Sequence, residues 1–306
     1  MTEISTSETD ESGYRKIPAS ALVNFEEFRL VTRARVTVNN AMVALLAGSR
    51  LASHTLQLTA GSEQLLPRIF PSVANIDRFN IVTENAKSLL DQADMHVATV
   101  SVPYALSVHE DFVLEIVEMV RARGVAVEPP SGSRLGPATM HEALFSAIGH
   151  TAPSETLEVF HVLREMRNSQ IHAGGRASAR LTARIEGFSP AAAQLWRSLA
   201  KQEPADALQN GRVAFALDHM FVVFAIIKQL GREVNLALQA HWSPDEWARL
   251  LVRDFQASTT RTKNSSAWRR ALIGFARVDY AALQFSEDVI ERAARASSAW
   301  TAKTWS

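Results

Sequence analysis

One segment of this chain of 306 residues combines side chains that can bind a phosphate group with one that can transfer a proton. It extends from Glu165 to Gly175 and has the sequence EMRNSQIHAGG. The planar guanidinium of Arg167 offers donors that match phosphate oxygens, and the imidazole of His172 can exchange a proton near neutral pH. The amide of Asn168 can orient that imidazole or donate to a phosphate. These residue types at this spacing suit chemistry on a phosphate ester.

The segment ends a predicted helix that runs from near Ser154 to Ala173, and Gly174 or Gly175 suits its C-terminal cap. The helix is expected to be amphipathic, with polar and apolar side chains on opposite faces. Four polar residues share an arc of about 60° on an ideal helix: His161, Glu165, Asn168 and His172. The opposite face holds Val159, Leu163 and Met166.

Arg167 lies about 140° around an ideal helix from His172. Both side chains can act on one phosphate only if the guanidinium wraps back, if the helix loosens near the glycines, or if a second copy of the helix completes the site. The last alternative predicts a homodimer about a two-fold axis, the commonest symmetry of homo-oligomers. We expect His172 of each subunit to lie near that axis.

The run RNSQIH, from Arg167 to His172, resembles the Arg-x4–6-His signature of the HEPN superfamily (higher eukaryotes and prokaryotes nucleotide-binding), in which Asn often follows the arginine. The flanking Glu165 and the glycine pair also resemble members of that superfamily. The resemblance implies an all-α, HEPN-like helical bundle, here with additional C-terminal helices, that dimerises through paired motif helices. It further implies cleavage of RNA without a metal ion or other cofactor, commonly in toxin or antiviral defence systems. An antitoxin or regulatory protein is then a possible partner.

The same resemblance assigns roles to residues of this segment. Arg167, Asn168 and His172 are the expected catalytic residues, and Arg164 and Glu165 are expected to contact the substrate. Cleavage would leave a 2′,3′-cyclic phosphate and a 5′-hydroxyl end. Two alternatives stay open: the polar residues cap a surface helix or form a dimer seam, and the chain is a non-catalytic binding or adaptor module.

Composition limits the remaining function classes. Lys and Arg together number 32, as do Asp and Glu, so the whole chain is not basic, although a local basic patch would be hidden in that balance. The chain has no cysteine, which excludes thiol catalysis, disulfides and zinc sites built on cysteine. Its longest apolar run is too short to span a bilayer. We therefore expect a cytoplasmic protein that does not bind a membrane.

Helical spacing of apolar residues dominates the chain, which predicts three segments: an acidic disordered tail over 1–16, a HEPN-like domain over 17–242 and a helical extension over 243–306. Only Val97–Val102, which Pro103 follows, resembles a strand. The predicted helices cover about 19–58, 76–94, 110–123, 154–173, 210–240, 265–283 and 286–299, with one more beginning near 138 and N-terminal caps at Ser189 and Ser243.

Three further groups of residues have side chains of the types found in binding sites. Met140-His141-Glu142 with His150 lacks the spacing of a zinc protease and is interpreted as ordinary helix residues. Asp218-His219 is interpreted as a buried structural pair, with a contribution to the active site as the alternative. The C-terminal region mixes basic and aromatic residues, which suits either a solvated helix face or a surface for single-stranded nucleic acid: Arg261, Lys263, Trp268, Arg269, Arg270, Phe275 and Arg277.

Overall fold

The computed structural model describes residues 16–60, 63–130 and 132–305, so all but one residue of the predicted acidic tail lies outside it. The expected all-α class is confirmed, because twelve α-helices and a single two-stranded sheet make up the regular structure of the described residues, apart from short 3₁₀ turns. Within these ranges, no helix combines the length and apolar character needed to cross a membrane. The helices are α1 (Glu26–Gln57), α2 (Leu66–Ile69), α3 (Thr83–Asp91), α4 (Ala93–Arg121), α5 (Met140–Ala147), α6 (Ser154–His172), α7 (Ala179–Glu186), α8 (Pro190–Ala200), α9 (Leu217–His241), α10 (Pro244–Ser258), α11 (Ser266–Asp279) and α12 (Glu287–Ala296).

The segment Val97–Val102 was expected to be a strand and is instead part of helix α4, with Pro103 inside the helix. Proline in a helix interior removes a backbone hydrogen bond and costs about 3 kcal/mol. Here Ala98 and Val102 are buried one turn apart, and Leu106 continues the same face. The helical spacing of the buried side chains therefore outweighs the local preference of β-branched residues for a strand.

The helix expected from Asn210 begins only at Leu217, and the residues before it form a hairpin. Strands β1 (Leu208–Gln209) and β2 (Arg212–Val213) pair antiparallel. Asn210 and Gly211 connect them with φ of 51° and 71°. Asn-Gly is the dipeptide that favours a turn with two positive φ angles, so local turn chemistry ends the helical pattern here.

The chain divides into two compact units that are not continuous in sequence. Of the described residues, the first unit contains those within 16–33, 108–157 and 226–305, and the second contains those within 34–107 and 158–225. Helices α1, α4, α6 and α9 each contribute residues to both units. The boundaries expected from the sequence, after residues 16 and 242, stay predictions.

The core of the first unit is rich in aromatic residues. Phe25 is fully buried and its ring centroid lies 5.7 Å from that of Trp247. Asn235 fixes the chain before α1, because its side chain accepts from the backbone N–H of Val23 (3.1 Å) and donates to the carbonyl of Val23 (2.7 Å). The capping box expected at Ser243 is confirmed, with reciprocal hydrogen bonds to Glu246.

One aromatic residue of the basic C-terminal region, Trp268, is unavailable to a nucleic acid, and the two interpretations of the region as a whole stay predictions. Trp268 is fully buried, with its ring centroid 5.4 Å from that of Phe255 and 6.0 Å from that of Trp300. It therefore has no exposed face on which a base could stack. Arg269 is paired with Glu287 at 2.9 Å, as expected of a solvated helix face.

Candidate functional site

The motif helix α6 ends at the glycine pair, as predicted. The backbone N–H groups of Ala173 and Gly175 both donate to the carbonyl of Ser169, at 3.0 and 2.9 Å. Gly174 and Gly175 have φ of +58° and +84°, the left-handed region that favours glycine. The chain therefore leaves the helix by a glycine-dependent reversal directly after His172.

The hairpin β1–β2 holds the segment that follows this reversal. The N–H of Val213 donates to the carbonyl of Gly175 (2.7 Å), and the N–H of Ala177 donates to the carbonyl of Gly211 (2.9 Å). The guanidinium of Arg212 also donates to the carbonyl of Gly174. These bonds fix the path of residues 174–177 and hence the point at which the next helix begins.

Helix α7 begins at Ala179, beside the C-terminal part of α6. Its N-cap is Ser178, whose hydroxyl accepts from the backbone N–H of Leu181 at 3.1 Å. Leu181 and Ile185 are buried and anchor the helix in the second unit. The cap and the anchors together place Ser178 and Arg180 next to the polar face of α6.

A cleft of about 310 Å³ lies at this place. It brings together two of the expected catalytic residues, Asn168 and His172, and the expected substrate-binding residue Glu165. His172 is exposed, whereas Asn168 is partly buried. The lining residues are Glu165, Asn168, Ser169, His172, Ala173 and Ser178.

Glu165 lies in the wall of the cleft between two arginines. Its Oε1 atom is 2.9 Å from Nη2 of Arg164 and 3.3 Å from Nε of Arg180. The side chains of Arg164 and Glu165 are only 7% and 8% exposed, whereas that of Arg180 is 59% exposed. One carboxylate thus contacts a buried guanidinium and an accessible one.

The third expected catalytic residue, Arg167, is half-buried and is not among the residues that line the cleft. This agrees with the wide angle between Arg167 and His172 on a helix. The other expected substrate-binding residue, Arg164, is buried and does not line the cleft, although it contacts the lining residue Glu165. His161, on the same polar face, is 6% exposed and does not line the cleft. The polar face is accordingly buried at its N-terminal end and open only near the glycines.

Three residues of this region were not identified from the sequence: Ser178, Arg180 and Arg212. The Asn210-Gly211 dipeptide was a recognisable signal for the hairpin, and Ser178 before a helix was a recognisable N-cap. Nothing in the local sequence connects Arg180 to Glu165, because that pair depends on the path of the chain between them.

Of the expected buried pair Asp218-His219, only His219 is buried, whereas Asp218 is partly exposed. The Nδ1 atom of His219 accepts from the backbone N–H of Ala216 (3.0 Å), and its Nε2 lies 2.8 Å from Nε2 of Gln202. Burial lowers the pKa of His219 to about 4, against a weaker opposing effect of Asp218. The imidazole is therefore neutral near pH 7, and it is not among the residues that line the cleft.

His141 is likewise buried within the first unit, with its Nε2 3.0 Å from Nε2 of His109. Burial lowers the pKa of His109 to about 3. Across the described ranges, no three His, Asp or Glu side chains are arranged to hold a metal ion. Comparisons of the chain with protein-family models, with curated proteins and with solved structures each found no match.

Proposed function

We propose that this chain is a metal-independent endoribonuclease of the HEPN type, with its active site in the cleft of α6. The observation that carries the proposal is that Asn168 and His172 line one open cleft in which the Glu165 carboxylate is bound by two arginines. The proposed site thus combines a proton-transferring group, a neutral hydrogen-bonding group and cationic groups, each of which can contribute to phosphodiester cleavage.

The proposed reaction is attack of a ribose 2′-oxygen on the adjacent phosphorus. A bond forms between the 2′-oxygen and phosphorus, and the bond from phosphorus to the 5′-oxygen breaks. His172 takes the proton of the 2′-hydroxyl or gives a proton to the leaving 5′-oxygen, and arginine stabilises the charge that develops on the phosphoryl oxygens. The products are a 2′,3′-cyclic phosphate and a 5′-hydroxyl.

The charge of the surrounding segment supports an anionic substrate. Between residues 164 and 186 the sequence holds five arginines and two glutamates, although the whole chain is neutral. A local excess of arginine attracts phosphates and raises the rate of encounter with a polyanion. Cleavage should therefore weaken as salt concentration rises.

A homodimer is part of the proposal, as is a cytoplasmic location. Arg167 does not line the cleft of its own chain, and a second copy of α6 about a two-fold axis is a route by which it reaches a bound phosphate. Ile171, directly before His172, is 52% exposed and gives this end of α6 an apolar contact surface. An antitoxin or other regulatory protein that covers the cleft would silence the site.

A second candidate function, a helical binding or adaptor module, is favoured by a different observation. Apolar side chains of the second unit are exposed on α1 and α4, with Leu51 at 70% and Val100 at 72%. Exposed apolar surface of this kind is typical of protein-binding faces. Such a module would bind a protein partner and leave RNA intact.

The deciding experiment incubates the purified protein with mixed RNA in excess EDTA. Cleavage by the wild type, loss of cleavage in His172→Ala and 2′,3′-cyclic phosphate ends are the expected results. Equal behaviour of wild type and His172→Ala on every RNA would reject catalysis at this site. Intact RNA together with a stoichiometric protein partner would favour the adaptor module.

A further inference from the structure

The cleft of α6 contains an imidazole but no arginine among the residues that line it. A phosphate held beside His172 needs a cation with accessible donors, since pairing an anion with a charged donor is about twice as strong as a neutral hydrogen bond. Arg167 does not line the cleft, and Arg164 is only 7% exposed. Neither arginine of the motif region offers an open guanidinium at the cleft of its own chain.

Arg180 does offer one. Its Nε is 3.3 Å from Oε1 of Glu165, a residue of the cleft wall, and its side chain is 59% exposed. A guanidinium that is engaged at Nε still carries the terminal amino groups, which can bind two phosphate oxygens. Ser178, two residues earlier, itself lines the cleft, so the first turn of α7 is already at its edge.

The charges of the cluster also favour an anion at this position. Glu165 is the one acidic residue that lines the cleft, and its Oε1 is shared between two guanidiniums. In the cluster of Arg164, Glu165 and Arg180, two guanidiniums therefore contact a single carboxylate. A phosphate next to Arg180 approaches a carboxylate that is already neutralised, so repulsion between the two anions is small.

We infer that Arg180 binds the backbone phosphate of a single-stranded RNA in the α6 cleft, and that Glu165 is a positioning residue that holds its guanidinium. The inference rests on the proposed function, because it concerns the substrate of that same cleft. It adds an arginine that lies outside the motif and outside α6. With this arginine, one cleft of a single chain has both a cation and an imidazole.

The first test measures binding without catalysis. A short single-stranded 2′-O-methyl oligonucleotide cannot be cleaved, because its 2′-oxygen carries no proton and cannot attack. We expect Arg180→Ala to raise the Kd of this oligonucleotide about tenfold, which is the effect of losing one charge-assisted hydrogen bond. The Kd of Arg180→Lys should lie between those of the wild type and Arg180→Ala. The plot of the logarithm of the association constant against the logarithm of salt concentration has a negative slope. The magnitude of that slope should be smaller by about 0.7 in Arg180→Ala, because one phosphate contact on a single strand is lost.

Arg197 provides the matched control. It belongs to the same unit, its side chain is 49% exposed, and its Nε is 2.9 Å from Oε2 of Glu203. Arg197→Ala removes the same charge from a similar ion pair, but its Kd and salt slope should match those of the wild type. Equal loss of binding in both variants, or none in Arg180→Ala, would overturn the inference.

The role of Glu165 is tested by a double-mutant cycle with Glu165→Gln, which keeps the size of the side chain. If Glu165 acts by holding Arg180, Glu165→Gln weakens binding in the wild-type background and does not weaken it further in Arg180→Ala. The same loss of affinity in both backgrounds would show that Glu165 does not act through Arg180. The midpoint of thermal unfolding of each variant separates this effect from loss of the fold.

The two proposals fail in different ways. Binding that depends on Arg180, without cleavage of natural RNA, would reject the proposed nuclease and support Arg180 as a phosphate-binding residue. Cleavage that depends on His172 but is unchanged in Arg180→Ala would support the nuclease and reject the role of Arg180. No binding of the oligonucleotide by the wild type would reject the role of Arg180 outright.

Discussion

The guanidinium of Arg180 lies 3.3 Å from the carboxylate of Glu165, which joins the motif helix α6 to the helix that follows the glycine reversal. Between the two residues the chain turns back sharply after His172, and the β1–β2 hairpin holds the segment that follows. The conformation of the loop between α6 and α7 therefore places the guanidinium of Arg180 next to the cleft.

The glycine reversal should be sensitive to a side chain at Gly175. An added Cβ would lie 3.1 Å from Oε1 of Gln170, and the φ of +84° is unfavourable for an L-residue. Gly175→Ala should lower the free energy of unfolding by about 1–2 kcal/mol, because the left-handed conformation carries that cost. Urea unfolding measures the change. The proposed RNA cleavage should fall as well, because the loop next to His172 moves.

Gly174→Asn is the control for the substitution at Gly175. Gly174 also has a positive φ, at +58°, but an added Cβ meets nothing within 4 Å. Asparagine tolerates this conformation better than alanine, so the cost should stay below about 1 kcal/mol. A larger loss of stability in Gly174→Asn than in Gly175→Ala would contradict the proposed cause.

Removing the carboxylate of Glu165 should destabilise the fold more than removing that of Glu118. Glu165 and Arg164 are nearly buried, and loss of one partner from a buried ion pair costs about 3 kcal/mol. Arg121 and Glu118 form an exposed pair within α4, for which the cost is at most about 1 kcal/mol. Urea unfolding of Glu165→Ala and Glu118→Ala tests the difference, and equal costs would refute it.

His219 should make the protein less stable in acid. Burial lowers its pKa to about 4 in the folded state, whereas the unfolded chain binds the proton from about pH 6.5 downward. The unfolded state therefore holds more protons between these values, and stability falls as pH decreases through this window, by about 3 kcal/mol in total. Above about pH 7 both states are neutral at this residue and the effect is absent.

His219→Asn isolates this contribution, since its amide oxygen can replace Nδ1 as the acceptor for the N–H of Ala216. The variant should be less stable than the wild type at pH 7, because the contact with Gln202 is lost. The difference should shrink by about 3 kcal/mol at pH 4, where the wild type pays for its neutral imidazole. A difference independent of pH would show that His219 is not protonated on unfolding.

The proposed homodimer should be sensitive to a charge at Ile171. This side chain is 52% exposed in the single chain, so Ile171→Glu has little reason to disturb the fold. If two copies of α6 meet, the variant places two carboxylates at the interface, and it should be monomeric by light scattering at micromolar concentration. Val278, which is 76% exposed in the first unit, supplies the control: Val278→Glu should stay dimeric. A strictly monomeric wild type with full cleavage activity would reject the dimer.

Short-range patterns were sufficient to predict much of the secondary structure. The end of α6 follows from the glycine pair, and the start of α10 follows from the capping box of Ser243 and Glu246. Local patterns gave a wrong prediction where packing over several helical turns determined the secondary structure. The run Val97–Val102 has the β-branched residues of a strand, but it is helical because Ala98 and Val102 are buried one turn apart.

That Glu165, Asn168 and His172 share one face of a helix follows from helical periodicity alone. Which of these side chains are buried and which cation reaches them depended on the tertiary structure. Arg180 lies next to Glu165 because of the path of the chain between them. Gly174 and Gly175, with positive φ, turn the chain, and hydrogen bonds from a hairpin more than thirty residues further along hold it. Contacts between residues so far apart in sequence arise from the path of the backbone, and periodicity within one helix carries no information about that path.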